Sequence, residues 1–153
     1  MAEYKIHIEG FLPDAGRNNL PEKYGVYLVF RGVPDGEHGV DLKEIIYIGK
    51  ADDETFNDRH FKREHERYQD FCDSCKEGET IFYAYIDIES SNQDIDIIEN
   101  ALVFAEQPKL NTQLKDHFQY GETTVHITGC SILQHTDYIL IKDNIADIDE
   151  VDE

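Results

Sequence analysis

The chain has 153 residues, 40% of them apolar, a size that suits one domain and buries roughly 68–70% of its unfolded surface. Its 33 acidic and 14 basic residues give a formal net charge of −19, which excludes binding to nucleic acid through overall charge. No apolar run is long enough to span a bilayer, and Met1–Gly10 has neither the basic start nor the apolar stretch of a secretory signal, so a soluble, cytoplasmic protein is expected. Cys72, Cys75 and Cys130 are too few, and odd in number, for a disulfide framework; Cys72 and Cys75 lack the second ligand pair that a structural zinc site usually has.

In chain order, Tyr4–Glu9 alternates apolar and polar residues and predicts a half-buried strand. Residues 10–23, rich in Gly, Pro, Asn and Asp, predict an irregular connection. Gly25–Arg31 and Glu44–Lys50 are β-branched and aromatic, and predict an antiparallel hairpin whose tip is a loop of about a dozen residues around Pro34-Asp35-Gly36. Residues 53–71 carry helix formers with aromatics at helical spacing. Thr80–Ile88 predicts a third strand. Ser90 and Ser91 are N-cap candidates for a helix that Pro108 stops. Two further strands, at 123–129 and 137–142, are expected to join Tyr4–Glu9 in an accessory sheet, and an acidic tail follows. The class is α+β, with a small mixed sheet on a β-β-α-β-α core flanked by helices and extra N- and C-terminal strands.

Two side-chain patterns carry chemistry. At about 100° per residue, Glu99 falls between Ile95 and Val103 on the edge of the apolar helix face, while Asp96, Asn100 and Gln107 form the solvated side. An inward carboxylate needs a pairing partner or a metal. Arg59, Lys62, Arg63 and Arg67 recur at helical spacing and make one basic face. That face is either a solvated surface with Glu–Arg pairs or a phosphate-contacting surface.

The order of these pieces resembles the GIY-YIG nuclease family over residues 20–112. Gly25-Val26-Tyr27 stands at the first signature and Tyr47-Ile48-Gly49 at the second. Arg59 is similar to the family's helix arginine, with Arg63 as the alternative, Glu99 to its metal-binding glutamate and Asn111 to its terminal asparagine. The resemblance implies hydrolysis of nucleic-acid phosphodiester bonds with one divalent ion, Mg²⁺ or Mn²⁺, held by Glu99. It implies one of Tyr27 and Tyr47 as the base and the other as a positioning group, with Tyr27 preferred as the base, Lys50 and Arg59 as the cations available to favour phenolate, and Asn111 orienting the site. Lys50, Arg59, Lys62 and Arg63 would be the local basic patch for nucleic acid, DNA ahead of RNA. Nineteen residues separate the two signature tyrosines, more than in many members, and the 51–55 stretch is expanded and acidic. His65 is out of phase with the position one helical turn after the arginine, where many members carry a histidine.

The expected organisation is an N-terminal strand and connection (1–19), the nuclease-like unit (20–112), a C-terminal β extension (113–142) and the acidic tail (143–153). The charge supports a second expectation: an inactive protein on the same scaffold that engages a basic protein partner through its acidic surface or tail.

Overall fold

The first ten residues divide between two sheets. β1 (Ala2–His7) pairs in parallel with β6 (Thr123–Thr128), and the chain then crosses at Ile8 to β2 (Glu9–Pro13), which pairs antiparallel with β5 (Thr80–Asp87). Gly10, at φ +104°, sits at the register shift within the β2–β5 pairing, a backbone that only glycine adopts without penalty. The irregular connection expected from residue 10 onward is therefore corrected at its start. Its first residues form an edge strand, where Pro13 is tolerated, and Asp14–Asn19 winds into a 3₁₀ helix.

This computed structural model describes residues 2–36, 39–89, 91–133, 135, 137–142 and, for backbone only, 145–147. The acidic tail otherwise lies outside the described residues, as does Ser90; Ile145–Asp147 forms a short strand, β8, on β7 (Tyr138–Lys142).

The hairpin is longer than expected. β3 (Gly25–Asp35) and β4 (Gly39–Ala51) stay paired through Val33–Asp41 and Pro34–Val40. The Pro-Asp-Gly signal marks only the tip, because Val33, Val40 and Leu42 still favour the pleated pairing. The core sheet runs β2-β5-β3-β4 and is antiparallel throughout, which corrects the expected mixed sheet. The parallel pair belongs to the second sheet, β1-β6-β7-β8. The N-terminal segment is thus shared between the sheets over residues 2–13, and the C-terminal extension supplies β6 and β7.

The expected long helix is broken. Residues 56–57 lead into a π turn at Asp58–Lys62, Arg63 is extended at φ −140°, and α1 spans Tyr68–Ser74. Phe56, His60, His65 and Phe71 are all buried. In an unbroken helix His65 would point about 140° away from His60; the break turns both imidazoles toward the sheet. It also dissolves the expected basic helix face.

α2 (Asn92–Glu106) starts where Ser91 Oγ accepts from the Asp94 amide at 3.2 Å, and ends at Gln107 in the left-handed region before Pro108. It lies between the sheets, touching β3 and β4 on one side and β7 and β8 on the other. The expected solvated side is corrected at Asn100 alone, which the 114–117 segment covers, while Gln107 is exposed as expected. Asn100 is buried and donates to the Leu114 and His117 carbonyls at 3.2 and 3.3 Å. A second apolar cluster fills the opposite face of the core sheet, where Tyr27, Val29, Ile46 and Tyr83 meet Phe56 and Phe71. Among the described residues, no helix is long and apolar enough to cross a membrane.

Candidate functional site

The site wraps the free edge of β4. Register pairs Tyr27 with Gly49 and Val29 with Tyr47, so both signature tyrosines share one face of the sheet. Lys50 opposes Val26 and points to the other face, toward α2, where its ammonium pairs with Asp96 at 2.6 Å and Asp52 at 3.1 Å. Burial opposes the charged lysine, but these two carboxylates hold its pKa above the ordinary value. Gly49 carries no side chain, and there the two faces communicate. A cavity of about 410 Å³ is lined by Tyr27, Tyr47, Lys50, Arg59, Arg63 and Glu99, with Gly49, Asp52, Asp53 and Glu54 completing its wall.

Both signature glycines are steric requirements of this arrangement. A Cβ at Gly25 would collide with the Ile86 carbonyl oxygen on β5, and one at Gly49 with the Tyr27 phenol. Tyr27 therefore lies across the glycine of the second signature.

Tyr27 is buried, and its hydroxyl is 2.7 Å from His65 Nε2. The Arg67 amide donates to His65 Nδ1 at 2.9 Å, so a neutral His65 carries its proton on Nε2 and donates to the phenol oxygen. Burial, with nearby Arg59, lowers His65 to about 4 and keeps it neutral. The phenol proton is thereby free to point elsewhere. His60 stacks on His65 with ring centroids 5.2 Å apart and meets the Tyr27 ring edge-on at 4.3 Å. Tyr47 is half-buried, its hydroxyl unbonded among the described residues, and the Arg67 guanidinium lies 5.5 Å from its ring centre. Burial raises both tyrosines above their ordinary pKa, with Arg59 opposing the rise in each.

Glu99 reaches the cavity from α2. It is half-buried, and among the described residues its carboxylate makes no hydrogen bond and no ion pair within 4.0 Å. Burial lifts its carboxyl to about 7, opposed by Lys50 and reinforced by Asp96 and Asp52. A half-buried, unpaired carboxylate near two others suits a divalent cation. No group of three or more His, Cys, Asp or Glu side chains with metal-ligand geometry occurs among the described residues. One carboxylate is still compatible with Mg²⁺, which retains most of its waters.

The remaining expected residues sit elsewhere. Asn111 does not line the cavity; it is buried, accepts from the Ile48 amide at 2.9 Å and donates to the Ile48 carbonyl at 2.8 Å. It thus clamps the middle residue of the second signature. Lys62 is turned away and pairs with Asp58 at 3.3 Å and Glu22 at 3.6 Å. Arg59 and Arg63 reach the cavity but are engaged by Glu54 and Glu66. Sequence reasoning missed Asp96 as the partner of Lys50, 46 residues away, whereas the Glu–Arg pairs it weighed for the 59–67 stretch are present, Arg59 with Glu66 and Arg63 with Glu54. The three cysteines are free thiols.

Comparison of the chain with protein-family models, with curated proteins and with solved structures finds no match.

Proposed function

We propose that the protein is a divalent-metal-dependent endonuclease that hydrolyses nucleic-acid phosphodiester bonds, with a GIY-YIG-like arrangement of its site. The observation carrying this reading is the convergence of Tyr27, Tyr47, Lys50, Arg59 and Glu99, from four separate segments, on one cavity. Each residue type has a task in phosphodiester hydrolysis. Arg59, with Arg63, would grip non-bridging phosphate oxygens through paired N–H groups. Tyr27, its oxygen accepting from His65, would take a proton from the attacking water as phenolate, the form that Arg59 favours against burial, and Tyr47 would position that water. Lys50 supplies positive charge on the α2 side, and Asn111 holds β4 in register. Glu99 would hold Mg²⁺ or Mn²⁺, which supplies charge stabilisation to the phosphoryl oxygens. DNA is the proposed substrate ahead of RNA.

A second reading has its own observation. Beside the site lies a cavity of about 560 Å³ walled by Glu22, Asp52, Asp53, Asp87 and Glu89, with Tyr24 exposed at its lip. A non-catalytic protein binding a basic partner would use this surface.

The deciding experiment incubates supercoiled plasmid, single-stranded DNA and RNA with the protein at low salt and Mg²⁺ or Mn²⁺, comparing wild type with Glu99→Ala. Cleavage lost in the variant supports the nuclease. No cleavage by wild type, together with no divalent-ion binding at Glu99, supports the binding protein.

A further inference from the structure

The two arginines of the cavity are occupied by the protein's own carboxylates. Arg59 Nη2 donates to Glu66 Oε2 at 2.7 Å and Nη1 to Oε1 at 3.2 Å. Arg63 Nε donates to Glu54 Oε1 at 3.1 Å, and its Nη2 to Oε2. Each carboxylate also reaches the other arginine, Glu54 at 3.5 Å from Arg59 and Glu66 at 3.8 Å from Arg63. The four side chains close a ring. A carboxylate gripped by both N–H groups of a guanidinium fork presents the same two-oxygen geometry as a phosphate. We infer that Arg59 and Arg63 form an oxyanion site for the phosphodiester of a nucleic-acid strand, held shut by Glu54 and Glu66 as stand-ins for that phosphate. The inference rests on the phosphodiester reading above and adds how the site is regulated.

Three further observations support it. Glu54 and Glu66 sit on irregular segments flanking the π turn, so either can swing away without breaking a regular element. The two carboxylates engage only Nη1 and Nη2 of Arg59; its buried Nε bonds neither of them, so the ring does not take up the whole guanidinium. The charge also becomes intelligible. At −19 overall, a permanently open pair of arginines would be a strong anion site on a repelling surface; the ring cancels it until a strand competes.

The test is fluorescence anisotropy of a short labelled single-stranded DNA, without divalent ions, against wild type and Glu54→Gln/Glu66→Gln. A control, Glu77→Gln/Glu122→Gln, removes the same charge from exposed positions away from the site. Circular dichroism verifies that each variant is folded. At least tenfold tighter binding by the first double variant over both wild type and control is expected, reversed by adding Arg59→Ala. Binding equal to the control, or no binding by any variant, overturns the inference. Tightening without cleavage by any variant in Mg²⁺ keeps the oxyanion site and removes the nuclease. Cleavage by wild type with no tightening does the reverse.

Discussion

The Tyr27 phenol lies where the side chain of residue 49 would be, so the tyrosine of the first signature and the glycine of the second are one steric unit. Tyr27 cannot yield: it is buried, held by His65 Nε2 and flanked by His60. Gly49→Ala should therefore destabilise the protein by about 1–3 kcal/mol, the usual range for overpacking a tight site. Gly16→Ala, where a Cβ meets only ordinary contacts, should change stability by less than about 0.5 kcal/mol. Urea midpoints of the two variants check the contrast; equal midpoints would show that Tyr27 has room to move.

Glu99 makes stability depend on pH and, under the proposed metal role, on a divalent ion as well. Its carboxyl, lifted by burial to about 7, binds its proton more tightly in the folded chain than the ordinary 4.5. Its contribution is fully present below pH 4.5 and is lost as pH rises through 7. At pH 8 Glu99→Gln should exceed wild type in stability by roughly 1–3 kcal/mol, and should match it near pH 4.5. Mg²⁺ or Mn²⁺ should raise the wild-type melting temperature at pH 8 and leave that of Glu99→Gln unchanged. A metal-induced shift of the same size in the variant would remove Glu99 as the ligand.

His65 works in the opposite direction. Its folded pKa of about 4 lies below the ordinary 6.5, so its contribution is present above 6.5 and lost as pH falls toward 4. Nitrogen-15 spectra should report a neutral ring with the proton on Nε2 throughout pH 5–8. A ring titrating near 6.5, or one protonated on Nδ1, would contradict the bond to Tyr27.

Asn111 predicts a structural effect. Asn111→Ala leaves the Ile48 amide and carbonyl without their side-chain partners in a buried place, which costs about 1–3 kcal/mol or more. Hydrogen exchange at the Ile48 amide should accelerate. Unchanged exchange would mean the edge of β4 is held by other contacts.

How much of this could be read beforehand differs from element to element. Gly25–Arg31, Glu44–Lys50 and Thr80–Ile88 were legible because β-branched and aromatic runs leave few alternatives to a strand. The end of α2 was legible because Pro108 cannot continue a helix. The long arms of the hairpin were not, because Pro-Asp-Gly locates a turn without saying how close to it the pairing continues. The break at Arg63 was hidden as well, since its neighbours are good helix formers. Only the need to bury His60 and His65 against one sheet face overrides that preference.

By itself the sequence determined the strands β3, β4 and β5 of the core sheet, the end of α2 and the candidacy of Tyr27, Tyr47, Arg59 and Glu99. Tertiary structure alone decided three things: the antiparallel pairing of β5 with β3 and β2, the burial of Asn100 under the 114–117 segment, and which carboxylate engages each cation. The reason is distance along the chain. Backbone preference acts over a few neighbouring residues. The pairing of Lys50 with Asp96, and of Asn111 with Ile48, is set only when packing brings segments 46 and 63 residues apart together.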